Sequence, residues 1–149
     1  MRNDKYGVKI SNASMTFDFV SEGPKGLIEK RVEYRLMDGE KIYNLGFGDL
    51  DLETDTINDS VTTDNKDSQK VLVTVASTIY TFTETYPDAF IFAKGSNAAR
   101  TRLYRIGISN NLEELMEEFD VYGFLTDIGW VVYKKNEDYT AFLIIKKLL

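Results

Sequence analysis

The sequence predicts an α+β fold. The expected form is a mostly antiparallel sheet, with an N-terminal three-stranded meander and a C-terminal hairpin, and two to three helices packed on one face. Three observations point there: apolar and polar residues alternate through residues 15–52, a long helical spacing fills the middle, and strand-like runs return at the end. Strands, then helices, then strands again is the order of α+β rather than of alternating α/β. The 149 residues suit one domain, 1–149, and contain no repeat, low-complexity tract or linker.

Met15-Thr16-Phe17-Asp18-Phe19-Val20 alternates with the period of a half-buried strand. Gly23-Pro24-Lys25-Gly26 reads as a hairpin turn. Residues 27–36 then place Ile28, Val32, Tyr34 and Leu36 on one parity, with Lys30 the exception. Asp38-Gly39 is a second hairpin signal, and residues 41–52 carry Ile42, Tyr43, Leu45, Phe47, Leu50 and Leu52. A further short strand falls at 8–10. Residues 54–67 lose apolar periodicity and read as a polar, mobile loop.

Asp67 or Ser68 can cap the helix that follows, in which Val71, Leu72, Val75, Ala76, Ile79, Phe82 and Tyr86 recur at helical spacing. Pro87 lies just past its end. Residues 89–93 form a buried strand, broken by Gly95-Ser96-Asn97. Residues 98–106 read as a second helix with Ala99, Leu103 and Ile106 inward, and Asn110-Asn111 opens a third over 112–119. Strands at 129–135 and 139–146, joined as a hairpin by Asn136-Glu137-Asp138, finish the chain, with a further strand at 121–125.

Composition narrows the chemistry. The chain has no Cys and no His, so thiol nucleophiles, disulfides, Ser-His-Asp triads and Cys- or His-ligated metals are excluded. Catalysis would rest on Asp, Glu, Lys, Arg, Tyr, Ser or Thr. A net charge of −6 disfavours non-specific contact with nucleic acid or anionic membrane, although a local basic patch can override the average. No apolar run approaches the roughly 20 residues of a membrane span, and Met1-Arg2-Asn3-Asp4-Lys5-Tyr6 lacks a secretory stretch. A cytoplasmic chain without a membrane partner is expected.

Three segments could carry chemistry. The first, Ala93 to Arg105, runs from strand through a Gly-Ser turn into a helix start, where free amides attract anions. Lys94, Arg100, Arg102 and Arg105 add charge, and Ser96 and Thr101 add hydroxyls. On an ideal helix Arg102 and Arg105 stand about 60° apart but Arg100 and Arg102 about 160° apart, so all three cannot meet one ligand. The competing reading pairs these arginines with Glu113, Glu114, Glu117 and Glu118. The second segment is the acidic row Asp49, Asp51, Glu53 and Asp55. Strand alternation would put these on one face, but the calcium-loop template fails because its sixth position is not Gly and Ser60 stands where a Glu belongs. Neither a metal site nor a cofactor is expected, and no Walker or Rossmann motif is present. The third is Ser21-Glu22-Gly23-Pro24-Lys25-Gly26, where Lys25 would join the anion site only if the fold brought it near Arg100 or Arg102.

Four strings together resemble a family of small bacterial proteins classed as a domain of unknown function. They are Phe17-x-Phe19-x-Ser21-Glu22-Gly23-Pro24-Lys25-Gly26-x-Ile28-x-Lys30, Tyr43-Asn44-Leu45-Gly46-Phe47-Gly48-Asp49, Lys70-Val71-Leu72-Val73-Thr74-Val75-Ala76, and Gly95-Ser96-Asn97-Ala98-Ala99-Arg100-Thr101-Arg102-Leu103-Tyr104-Arg105. The likeness spans about 17–108 and implies no activity. The reading of the residues is a non-catalytic binding module, for a protein partner or an anionic ligand, with Lys94, Ser96, Arg100, Arg102, Arg105 and Lys25 at its site. The alternative is a His-free phosphoester-processing enzyme, such as a small ribonuclease or a toxin–antitoxin or defence component. In it Arg100, Arg102 and Lys94 would stabilise charge, and a Glu or Tyr104 would move the proton. A homo-oligomer built through the uncovered sheet face is a third reading.

Overall fold

The computed structural model describes residues 4–37, 39, 41–58 and 62–148. Their elements in chain order are β1 (Lys9–Ser11), β2 (Thr16–Gly23), β3 (Gly26–Leu36), β4 (Ile42–Asp51), β5 (Thr56–Ile57), α1 (Ser68–Thr85), β6 (Phe90–Ala93), α2 (Ala98–Asn110), α3 (Leu112–Glu118), β7 (Phe119–Leu125), β8 (Gly129–Val132) and β9 (Ala141–Lys146). The strands form one sheet in the order β1-β2-β3-β4-β6-β9-β7-β8, with β5 attached to β4. Every pair is antiparallel except β4 with β6.

The meander follows its alternation. Phe17, Val32 and Phe47 lie in one row across β2, β3 and β4, all buried toward the helices. In the next row Phe19 neighbours Lys30, which neighbours Asp49. Lys30 therefore sits on the same inward parity as Val32 and Tyr34, buried and donating to Asp49 Oδ1 at 2.6 Å and to the Thr63 carbonyl at 2.7 Å. The apparent exception in the alternation is an ion pair set into the core. Asp38 of the second hairpin signal lies outside the described residues; Gly39 takes φ +86°, and Met37 N–H donates to the Ile42 carbonyl at 2.8 Å.

Helix α1 covers this face. The Phe82 ring stacks on Tyr34 at 4.0 Å between centroids, and the Tyr34 hydroxyl meets Thr78 Oγ1 at 2.8 Å. Asp67 occupies the N-cap position, yet its carboxylate does not cap the helix. It accepts the hydroxyls of Tyr6 and Ser21 at 2.5 and 2.6 Å instead.

The polar segment before α1 is pinned by specific contacts. Buried Asn65 accepts the Lys25 amide at 2.8 Å and donates to the Gly26 carbonyl at 2.9 Å and to Ser21 Oγ at 3.2 Å. Thr63 bonds Asp49 through both its amide and its hydroxyl. Polarity alone does not reveal such partners in sequence. A Cβ on Gly23 would stand 2.0 Å from the Asn65 carbonyl oxygen. Gly23→Ala is therefore expected to destabilise the fold by about 1–3 kcal/mol, as overpacking does, read as a lowered urea midpoint with an unchanged m-value.

At the C-terminal end the hairpin is β7 with β8, closed at Ile128 N–H to the Leu125 carbonyl. Residues 136–138 do not join paired strands, because β9 lies between β6 and β7. Its composition suits an interior strand: Phe142 and Ile144 are buried on the helix side while Leu143 and Ile145 face the other way. Helix α2 also presents a different face from the expected one. Arg100, Tyr104, Gly107 and Ile108 are buried and Ala99 is exposed, for a reason found in β4.

Candidate functional site

β4 pairs with β6 only over 42–44, and beyond that the two strands part. The β4 backbone past this fork needs partners from elsewhere. Helix α2 supplies them. The Tyr104 hydroxyl accepts the Phe47 amide at 3.1 Å and donates to the Leu45 carbonyl at 3.4 Å. Arg100 Nη2 donates to the Phe47 carbonyl, while Nη1 reaches the Asn58 carbonyl at 3.1 Å and Thr62 Oγ1 at 3.0 Å. Burial raises the Tyr104 pKa above its ordinary value, opposed by the nearby Arg100 charge, so the hydroxyl stays protonated in its role on β4. Both residues are thus built into the fold.

The opposite side of α2 is different. β6 ends at Ala93, and the chain turns through Gly95, whose amide donates to Thr101 Oγ1 at 3.1 Å. A Cβ on Gly95 would lie 2.2 Å from the Thr101 nitrogen, so the turn requires glycine to approach the helix. Extended Asn97 is the N-cap, its Oδ1 accepting the Arg100 amide at 2.9 Å. The first-turn amides of Ala98 and Ala99 have no acceptor within the helix. Ala98 lines an open cleft of about 570 Å³ between the start of α2 and residues 138–140.

Four of the six residues singled out by sequence, Lys94, Ser96, Arg102 and Arg105, line this cleft together. Lys94 and Arg102 are exposed, and Arg102 has no ion-pair partner among the described residues. Arg105 bonds Asp138 at 3.1 Å, a carboxylate that is itself fully exposed. Neither of the other two joins them: Arg100 faces β4, as its 160° offset demands, and Lys25 belongs to the β2–β3 turn, where its amide binds Asn65. Among the described residues, Arg100 and Arg105 bond backbone carbonyls, a threonine and Asp138 rather than the α3 glutamates.

The acidic row disperses. Asp49 turns inward to Lys30 and Thr63, Asp51 accepts the Glu53 amide at 2.9 Å, and Asp55 pairs with Arg31 at 2.9 Å. The strand ends at Asp51 and Asp55 takes φ +55°, which breaks the alternation that would have aligned them. Ser60 lies outside the described residues. A smaller cavity, about 200 Å³, lies beside Lys30 and Ser68, but its lysine is already committed to Asp49. The residues that sequence reasoning missed are Asn65, Asn97 as a cap, and the Lys30–Asp49 pair. For the last a signal existed, since a lysine on an apolar parity needs a buried partner.

No helix among the described residues is long and apolar enough to cross a membrane. No curated protein and no solved structure matches the chain. One family model does, and it extends over residues 2–147, well outside the motif-bearing stretch of 17–108. The chain therefore belongs to a family of unknown function, DUF6934.

Proposed function

We propose that this protein is a non-catalytic binding module that holds an anionic group of its ligand or partner, such as a phosphate, in the cleft at the start of α2. The observation that carries this reading is the convergence of Lys94, Arg102 and Arg105 with the first-turn amides of α2 around one open cleft. Arg102 is the principal contact, being exposed and unpaired among the described residues, and Arg105 can exchange its exposed partner Asp138 for a ligand oxygen. An exposed ion pair of this kind is worth little and exchanges readily. Binding is favoured over phosphoester turnover because the Tyr104 hydroxyl is spent on Leu45 and Phe47 of β4, away from this cleft. The acidic whole disfavours a long nucleic-acid track and favours a discrete anionic group on a protein or small ligand.

The test is titration of a phosphoserine peptide against the protein and its Arg102→Ala variant by calorimetry at two salt concentrations. The expected result is about tenfold weaker binding for the variant, the loss of one charge-assisted hydrogen bond, with a smaller salt dependence. Equal affinity in both proteins, or no binding to either, would overturn the reading.

A further inference from the structure

The helices cover one face of the sheet, and the other face divides sharply in character. Over β2, β3 and the start of the sheet it is charged: Arg31 forks onto Asp18 at 2.7 and 2.9 Å, and Arg35 meets Glu33 at 3.3 Å. Over β6, β9, β7 and β8 it is apolar. One row runs Asn44, Phe92, Leu143, Tyr122, Val132 across five strands. Ile42, Phe90 and Ile145 form the row on one side of it, and Phe124 and Trp130 the row on the other. Trp130 packs edge-on against Phe92 and Phe124, at 6.2 and 5.2 Å between centroids. Yet Val132 remains 58% exposed, Trp130 43%, Ile42 38% and Phe90 36%.

With roughly 150–250 Å² of surface per aromatic side chain, this patch leaves on the order of 500 Å² of apolar surface in water, at the upper end for a soluble monomer. We infer that it is the interface of a homodimer, in which the apolar half-sheets of two copies pack face to face about a two-fold axis. Three features select a second copy as the occupant. Two such patches with their polar rims reach the roughly 1,200–2,000 Å² of a stable interface, and sheets pack closely in this aligned way. An uncharged centre complements itself under two-fold symmetry. Charge also matches at the rim: Asn44 separates Phe92 from Arg35 on one flank, and Asp120, beside Ile145, is exposed on the other. An axis along β6 and β9 exchanges those flanks, bringing Arg35 of each copy toward Asp120 of the other.

This inference does not depend on the anion cleft. Sedimentation equilibrium of the full chain should give twice the 17.0 kDa monomer mass at micromolar concentration. Trp130, the one tryptophan, should shift its emission to the blue as the protein is concentrated. Val132→Lys, at an exposed edge position the fold tolerates, should weaken association at least 100-fold with an unchanged circular dichroism spectrum. Arg35→Glu should weaken it about tenfold, and the double variant Arg35→Glu, Asp120→Arg should restore it. A wild-type chain that stays monomeric to 100 μM, on the order of a weak interface's limit, overturns the inference. So does a dimer indifferent to both Val132→Lys and the charge exchange, or a patch that binds only a different protein.

Discussion

Arg100→Met is expected to lower stability by about 3 kcal/mol, because the buried Phe47 carbonyl and the partly buried bonds to Asn58 and Thr62 lose their donor at once. For a chain of this size that is roughly 6–12 °C in Tm. Arg100→Lys should recover only a part, since a single ammonium cannot span three acceptors held by a planar fork. Arg102→Met, two residues on, should change stability by less than about 0.5 kcal/mol, as exposed substitutions do. The pair of thermal melts separates the two arginines by role. Similar losses at both positions would mean that Arg102 also serves the fold, and the cleft would then lack its principal contact.

Lys30→Met comes second in expected effect. It leaves the Asp49 carboxylate, whose side chain is 17% exposed, without its cation, at a cost of about 3 kcal/mol for breaking a buried pair. Burial pushes the Asp49 pKa up, but the Lys30 and Thr63 contacts outweigh it and hold the group below its ordinary value of 3.8. The folded pKa is thus depressed. The stabilisation it contributes is present above the unfolded value and disappears as pH falls through the folded one, below about pH 4. In Lys30→Met the carboxylate is no longer held down, so its deficit against the wild type should shrink on acidification. Adding Asp49→Asn, which keeps an acceptor for Thr63, should restore much of the loss at neutral pH. Urea melts across pH 3–7 read both effects. A deficit that is constant with pH would show that packing around Lys30, rather than the ion pair, is what the substitution removes.

Much of the architecture was legible because it depends on local periodicity. The alternation through 15–34 and the helical spacing from Val71 to Phe82 specify which faces are apolar, and those faces are the ones turned to the core, while Leu36 at the strand end is exposed. Sheet order was not legible in the same way. The placement of β9 between β6 and β7 is a non-local choice, visible in sequence only as apolar residues on both parities of 141–145. The site divides along the same line. The 160° offset between Arg100 and Arg102 follows from helix geometry and separates the two residues correctly. That Arg100 is the inward one follows from the fork between β4 and β6, which no window of sequence contains. Gly48, in one of the recognisable motifs, likewise serves that junction, clearing Ile57 beside the Arg100 guanidinium, whereas Gly23 serves the β2–β3 turn by clearing Asn65.

Anion binding in the proposed cleft at the start of α2 is read directly by nuclear magnetic resonance of the ¹⁵N-labelled protein titrated with inorganic phosphate. Saturable shifts of the Gly95, Ser96, Ala98 and Ala99 amides are expected, together with the Arg102 side-chain signal, and Arg102→Ala should abolish saturation while leaving the rest of the spectrum in place. Unchanged amides in that turn, or saturable shifts centred on Lys25 or Lys30 instead, would contradict it.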